Sequence, residues 1–250
     1  MTERRTVLIL GGTGEARALA ARLLDDPAAP TVITSLAGRV QRPRLPRGQV
    51  RIGGFGGFEG LRDYLADTGI DAVVDATHPF AARITANAVA AAGQAGVPLL
   101  RLRRPPWTPG PADRWTTVPD ITAAAAAVAD RGGRVFLTTG RQDVGAFADI
   151  DDAWFLIRVV DPPTVRLPAR HRILSSRGPY EPAGERALLA EHGITVLVTK
   201  NSGGELTRAK LAAAAEAGVE VIMVARPAEP AGLRAVDRVE AAVAWALDPG

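Results

Sequence analysis

Short apolar runs alternate with segments of helical period along most of the chain. Strand-length runs are predicted at Thr6–Leu10, Thr31–Thr34, Val50–Ile52, Ala72–Asp75 and Pro98–Leu102. A second set follows at Val135–Thr138, Trp154–Val160, Ile173–Ser175, Val196–Thr199 and Val221–Val224. Between them, apolar residues recur every three or four positions in Glu15–Leu24, Gly60–Thr68, Ala81–Ala92, Gly184–His192 and Leu206–Ala217. Continuous Val/Ile/Leu runs joined by helical crossovers predict parallel sheets covered on both faces, and so an α/β fold.

The stretch Arg103–Asp113, "RRPPWTPGPAD", continues neither a helix nor a central strand. It predicts a linker dividing residues 1–110 from residues 111–250. The halves also resemble one another. Leu61–Pro79 aligns without gaps on Glu185–Gly203, and Ala95–Pro105 on Ala217–Pro227. Each half reads as helix, Gly-Ile turn, strand, polar loop, helix, Ala-Gly-Val turn, strand. Common descent and the general likeness of α/β units both account for this. Either way the pattern predicts two doubly wound, Rossmann-like domains flanking a cleft, with polar loops at strand C-terminal ends, where such sheets take ligands.

Composition narrows the chemistry. The chain has no cysteine, so thiolate metal sites and cysteine nucleophiles are excluded; His78, His171 and His192 lack metal-ligand spacing, and no metal is expected. The N-terminal apolar run is too short for a secretory signal, and no run approaches about 18 apolar residues. The expectation is a cytoplasmic protein that crosses no membrane. A net charge of +3 is too small to argue for nucleic acid. Nearly all the bases are arginine, suited to gripping carboxylates and phosphates; the two lysines are Lys200 and Lys210.

The polar loops carry the candidate chemistry. After the first strand comes Gly12-x-Gly14-x-x-Arg17, a dinucleotide fingerprint without its third glycine. Gly12, Thr13 and Gly14 would let backbone approach a pyrophosphate at a helix N-terminus, or form a plain turn. Glu15 could accept a ribose hydroxyl or cap the turn. About 20 residues after the glycines, an NAD site places a carboxylate on the ribose. Here Ser35, Leu36 and Arg39 stand instead, which predicts NADP(H) if Arg39 is more than a solvated loop residue. Gly54 and Gly56 lie in "RIGGFGGFEG", either a bed for a flat ligand or a flexible turn. Thr77, His78 and Pro79 follow the fourth strand. His78 could orient a nicotinamide or give a proton, or be merely exposed beside a capping Thr77; Pro79 is placed in the first helical turn. In the second half, Thr139, Gly140 and Arg141 resemble an anion-holding turn. Ser176, Arg177 and Gly178, with Lys200, Asn201, Ser202 and Gly203, complete a set suited to a polycarboxylate. No Tyr-x-x-x-Lys, G-x-S-x-G or H-E-x-x-H occurs, so positioning must supply most of any hydride-transfer catalysis.

The stretches "LILGGTGEARALA", "SLAGR", "GGFGG", "DATHPFAARITANA", "LRLRRPPW", "LTTGRQ", "RVVDPP", "RGPY" and "VTKNSGG" resemble the precorrin-6A reductase family of cobalamin biosynthesis, from about Val7 to Pro227. The resemblance implies NADPH on the N-terminal half and reduction of precorrin-6A to precorrin-6B. It implies Lys200 and Arg141 on substrate carboxylates, His78 near the nicotinamide, and product transfer to neighbouring pathway enzymes. His78 and Lys200 are the catalytic candidates. The alternatives are a cobalt-precorrin-6A reductase of the anaerobic branch, an NADP-dependent reductase of a smaller acid, and a non-enzymatic dinucleotide sensor.

Overall fold

The computed structural model describes residues 4–38 and 42–249. In the first half, β1 (Thr6–Leu10), β2 (Thr31–Leu36), β3 (Gln49–Ile52), β4 (Ala72–Asp75) and β5 (Leu99–Leu102) alternate with α1 (Gly14–Asp25), α2 (Phe58–Asp67) and α3 (Ala82–Ala95). The second half has β6 (Trp115–Val118), α4 (Ile121–Arg131), β7 (Gly133–Leu137), β8 (Ala153–Val159), β9 (His171–Ser175), α5 (Pro182–Glu191), β10 (Val196–Lys200), α6 (Ala209–Glu216) and β11 (Glu220–Val224). The chain closes with β12 (Ala235–Val236) and α7 (Val239–Leu247).

Two six-stranded sheets result, in the orders β12-β5-β4-β1-β2-β3 and β6-β11-β10-β7-β8-β9. Neighbouring strands pair in parallel throughout. The strand β1 shows why. Val7 and Ile9 join Leu19, Leu23 and Trp245 on one face, while Leu8 and Leu10 join Leu61, Leu65 and Ala91 on the other. Both faces are buried, so a period of two carries no polar alternation. In the second unit Phe136, Leu197, Val221 and Met223 form the equivalent core with Leu189 of α5 and Leu211 of α6.

The internal likeness read from sequence extends to the topology. The aligned stretches place α2 with α5, β4 with β10 and β5 with β11, and the two sheets run in the same order. The domain boundaries differ from the expectation. One compact unit is Met1–Pro105 with Ala228–Gly250; the other is Pro106–Pro227. The C-terminal tail, assigned to the second domain on sequence, belongs to the first. There β12 pairs with β5, and Ala242, Trp245 and Ala246 enter the core of α1. The first sheet thus receives its strand beyond β5 from the C-terminal tail, whereas the second receives its strand beyond β11 from its own first segment, β6. The proposed linker is also shorter than read: Trp107 is a buried member of the second unit's core. No helix among the described residues is long and apolar enough to cross a membrane.

Trp245→Ala should lower stability by about 3–5 kcal/mol, the usual loss for a buried aromatic. Denaturant unfolding checks this; a loss below about 1 kcal/mol would contradict the place given to the tail.

Candidate functional site

In each unit the parallel strands deliver their following loops to one edge of the sheet. In the first unit, β1 and β4 are neighbours, with Leu10 opposite Asp75. Their loops are stitched together by Thr13. Its hydroxyl donates to the Ala76 carbonyl (2.7 Å) and accepts from the Ala16 amide (3.1 Å), which caps α1. Gly11 sits against β2, where a Cβ would come within 2.8 Å of Thr34 Cγ2. Gly12 has φ of 111°, a conformation that other residues rarely adopt. Beyond them, Gly14 and Glu15 open α1, whose first-turn amides lack partners within the helix.

Glu15 has a specific partner: Arg104, after β5, donates to Glu15 Oε2 at 2.8 Å. Between these groups is a shallow depression lined by Thr13, Glu15, Thr77, Pro79, Arg103 and Arg104.

The end of β2 carries no carboxylate. Ser35 and Leu36 are buried, and their carbonyls accept the amides of Gly11 and Gly53 at 2.9 Å each. Arg39 lies outside the described residues. Beside Ser35 on β3 stands Arg51, a cation that sequence reading overlooked. Its guanidinium donates to the carbonyls of Gly53 (2.7 Å) and Gly54 (2.9 Å) and lies 3.9 Å from the Phe55 ring centre. The glycine-rich loop containing Gly54 and Gly56 is therefore braced.

At the end of β4, Asp75 is fully buried. Its Oδ1 accepts from the Thr77 amide (3.0 Å) and hydroxyl (2.7 Å), and Oδ2 accepts from the Thr85 hydroxyl (2.6 Å). Thr77 therefore points inward and does not cap α3, whose first flanking residue is Ala81. Pro79 falls in a turn before the helix, not in its first turn. The Phe80 amide donates to His78 Nδ1 at 3.2 Å. In a neutral imidazole this leaves the proton on Nε2.

In the second unit, the ends of β7 and β10 present the corresponding loops. Thr139 is buried with no partner for its hydroxyl among the described residues, and Gly140 turns the chain with φ of 94° ahead of Arg141. Lys200 is paired with Asp143, a partner the sequence reading missed. The Asn201 side chain is held by the linker: it accepts from the Trp107 amide (2.8 Å) and donates to the Trp107 carbonyl (3.0 Å). Arg226 donates to the carbonyls of Asn201 (2.8 Å) and Ser202 (3.2 Å). Gly203 follows, buried at φ of 68°. Lys210 is buried under Trp107 and donates to the Thr207 carbonyl at 2.7 Å.

The loop carrying Ser176, Arg177 and Gly178 follows β9. It is backed by a buried ion pair in which Arg158 donates to both Glu185 oxygens, at 3.0 and 2.7 Å. The guanidinium also lies 4.1 Å from the Tyr180 ring centre, and the Tyr180 hydroxyl donates to the Ser176 carbonyl at 3.2 Å. The signals for these braces were present in "LRLRRPPW" and "RGPY", but their partners lie far away in sequence.

Two doubly wound units, with a glycine loop on a helix N-terminus in one and cationic loops in the other, define a two-unit α/β protein with polar loops at the strand ends where such folds take ligands. The family model for precorrin-6x reductase CbiJ/CobK matches residues 6–247. The chain is 55% identical over 239 residues to a precorrin-6A reductase of Rhodococcus erythropolis, covering 96% of each chain. It is 57% identical over 241 residues to a precorrin-6A reductase of Mycobacterium tuberculosis, again covering 96% of each. A solved structure described as CobK precorrin-6A reductase superposes with a TM-score of 0.91 at 44% identity, covering 98% of this chain and 97% of that one. The chain belongs to the precorrin-6x reductase family, oxidoreductases of cobalamin biosynthesis.

Thr13→Val removes both the helix cap and the tie to Ala76. It should lower stability by about 1–2 kcal/mol. Thermal unfolding of the variant checks this, and an unchanged midpoint would contradict it.

Proposed function

We propose that the chain reduces one double bond of the precorrin-6A macrocycle, giving precorrin-6B in the cytoplasm, with NADPH on the first unit and the substrate carboxylates on the second. The observation that carries this reading is the family match from residue 6 to residue 247, which takes in both units. NADPH, when bound, would supply the hydride, and one proton is taken up to complete the reduction. The remaining work is binding and orientation by the chain's own groups.

The residues of the first unit suit a dinucleotide. Backbone at Gly12, Thr13 and Gly14 would meet the pyrophosphate, whose charge is favoured at the start of α1. Ser35, Leu36, Arg39, Gly54 and Gly56 would border the adenosine end, with Arg51 as an added cation. The lack of a carboxylate after β2 favours a 2′-phosphate over a free 2′-hydroxyl. Glu15 orders this site through Arg104 instead of contacting a ribose. Thr77, His78 and Pro79 would border the nicotinamide, with His78 Nε2 as a hydrogen-bonding group that orients it.

In the second unit, Arg141, Arg177 and Lys200 supply cations for acetate and propionate groups, with Thr139, Gly140, Ser176, Gly178, Ser202 and Gly203 as neutral neighbours. Asp143 fixes the Lys200 ammonium, whose three donors allow a second carboxylate to share it. Asn201 acts indirectly, by holding the loop to Trp107.

NADPH should bind at least about tenfold more tightly than NADH, the scale of one lost charged contact, as read by fluorescence titration. Equal affinities would count against the 2′-phosphate assignment. Lys200→Ala should raise the Michaelis constant for precorrin-6A about tenfold, and an unchanged constant removes Lys200 from substrate binding. His78→Ala with full turnover removes that residue from the mechanism. Dinucleotide binding without oxidation at any tetrapyrrole concentration would indicate a sensor, and oxidation with simple keto acids alone a different reductase.

A further inference from the structure

The first unit buries a charge pair where its counterpart in the same chain does not. Asp75 on β4 stands opposite Arg101 on β5, joined at 2.8 Å, with side-chain exposures of 0% and 1%. The same cross-strand position on β10 and β11 holds Thr199 opposite Met223, exposed by 2% and 1%. The fold therefore accommodates a neutral pair at this place. Burying two ions carries a desolvation penalty of several kcal/mol each, and an apolar replacement is often as stable. Stability of the sheet does not explain the charges.

Their hydrogen bonds point to another role. Asp75 takes the amide and hydroxyl of Thr77 and the hydroxyl of Thr85 on α3. Arg101 donates to the Asp75 carbonyl (3.1 Å) and to the Thr77 hydroxyl (3.2 Å). On its far side, the Arg101 Nε donates to Glu229 at 3.3 Å, and Arg103 holds the other Glu229 oxygen at 2.5 Å. The bonds from Asp75 and Arg101 thus fix the chain immediately before His78 and anchor it to the helix that follows.

We propose that Asp75 and Arg101 are positioning residues for the reduction. They touch neither substrate nor cofactor. Acting through Thr77, they hold the Thr77–His78 segment at one distance from the glycine loop of β1, so that the reacting ring of the dinucleotide meets a fixed wall. This rests on the reading of the first unit as the NADPH unit. Small misplacements of a reacting group lower turnover far more than they lower binding.

The test is the double variant Asp75→Thr with Arg101→Met, which imports the second unit's own neutral pair and leaves no unpaired charge between the two strands. The expected result is a folded protein that binds NADPH with a Kd within about threefold of the wild type and turns over about a hundredfold more slowly. The deuterium isotope effect on kcat with C4-deuterated NADPH should rise, because hydride transfer becomes limiting. Without any dinucleotide, amide hydrogen exchange at residues 76–80 should accelerate. A folded double variant with wild-type kcat and isotope effect overturns the proposal, as does loss of NADPH binding in proportion to turnover. If the double variant does not fold, Thr85→Val decides. It deletes a single hydroxyl bond to Asp75 and should lower kcat about fivefold at unchanged Kd; unchanged kcat overturns the proposal. Wild-type protein that oxidises no NADPH with precorrin-6A defeats the functional reading alone, and the exchange measurement still reports whether the pair fixes the loop.

Discussion

A guanidinium buried inside a parallel sheet must be answered on every side, and Arg101 is the largest fully buried side chain among the described residues. Its partners come from three parts of the chain: Asp75 at the end of β4, Thr77 in the following loop, and Glu229 in the segment that returns from the second unit. The pair gains strong attraction in a poorly polarisable interior and loses comparable hydration, so its net contribution to stability is small. Removing one member alone would cost about 3–5 kcal/mol. What it confers is a single arrangement. With Thr13 tying Ala76 to α1, the loops after β1 and β4 become one rigid surface.

The first unit depends on this surface in a way its sheet order makes clear. Strand β5 is flanked by β4 and by β12, which arrives from the C-terminal tail. Glu229 lies just before that tail strand and meets both Arg101 and Arg103. The closing segment is thus attached to the site by charge as well as by the burial of Trp245. The second unit solves a similar problem elsewhere, with Arg158 and Glu185 supporting Tyr180 and the loop at Ser176.

Much of the fold was legible because parallel strands buried on both faces must be runs of branched apolar residues. The central strands follow that rule, and the more exposed edge strands β3 and β9 keep enough of it, in Val50, Ile52, Ile173 and Leu174, to be foreseen. The two not foreseen do not: β6 is Trp115–Val118, half polar and partly exposed, and β12 is two residues long. Helix α4 is nearly all alanine between Ile121 and Val128, so it shows little amphipathic contrast. The tail was misassigned because sequence proximity favours the nearer domain. Its proline-bearing approach, Pro227 to Pro230, mirrors the Pro105–Pro106 crossing and was the available sign of a return.

The candidate site was legible as loops and not as partnerships. Residue type and position after a strand marked Gly12, Thr77, Arg141 and Lys200. Nothing local shows that Thr13 reaches Ala76, that Asn201 is held by Trp107, that Glu15 meets Arg104, or that Lys200 meets Asp143, because each of these partners is set by tertiary pairing. The central claim is hydride delivery from NADPH to a tetrapyrrole. It is tested most directly by incubating the protein with precorrin-6A and NADPH deuterated at both C4 positions, then weighing the reduced product. The account predicts one deuterium transferred from the cofactor. A reduced product carrying none, or no reduced product at all, would contradict it.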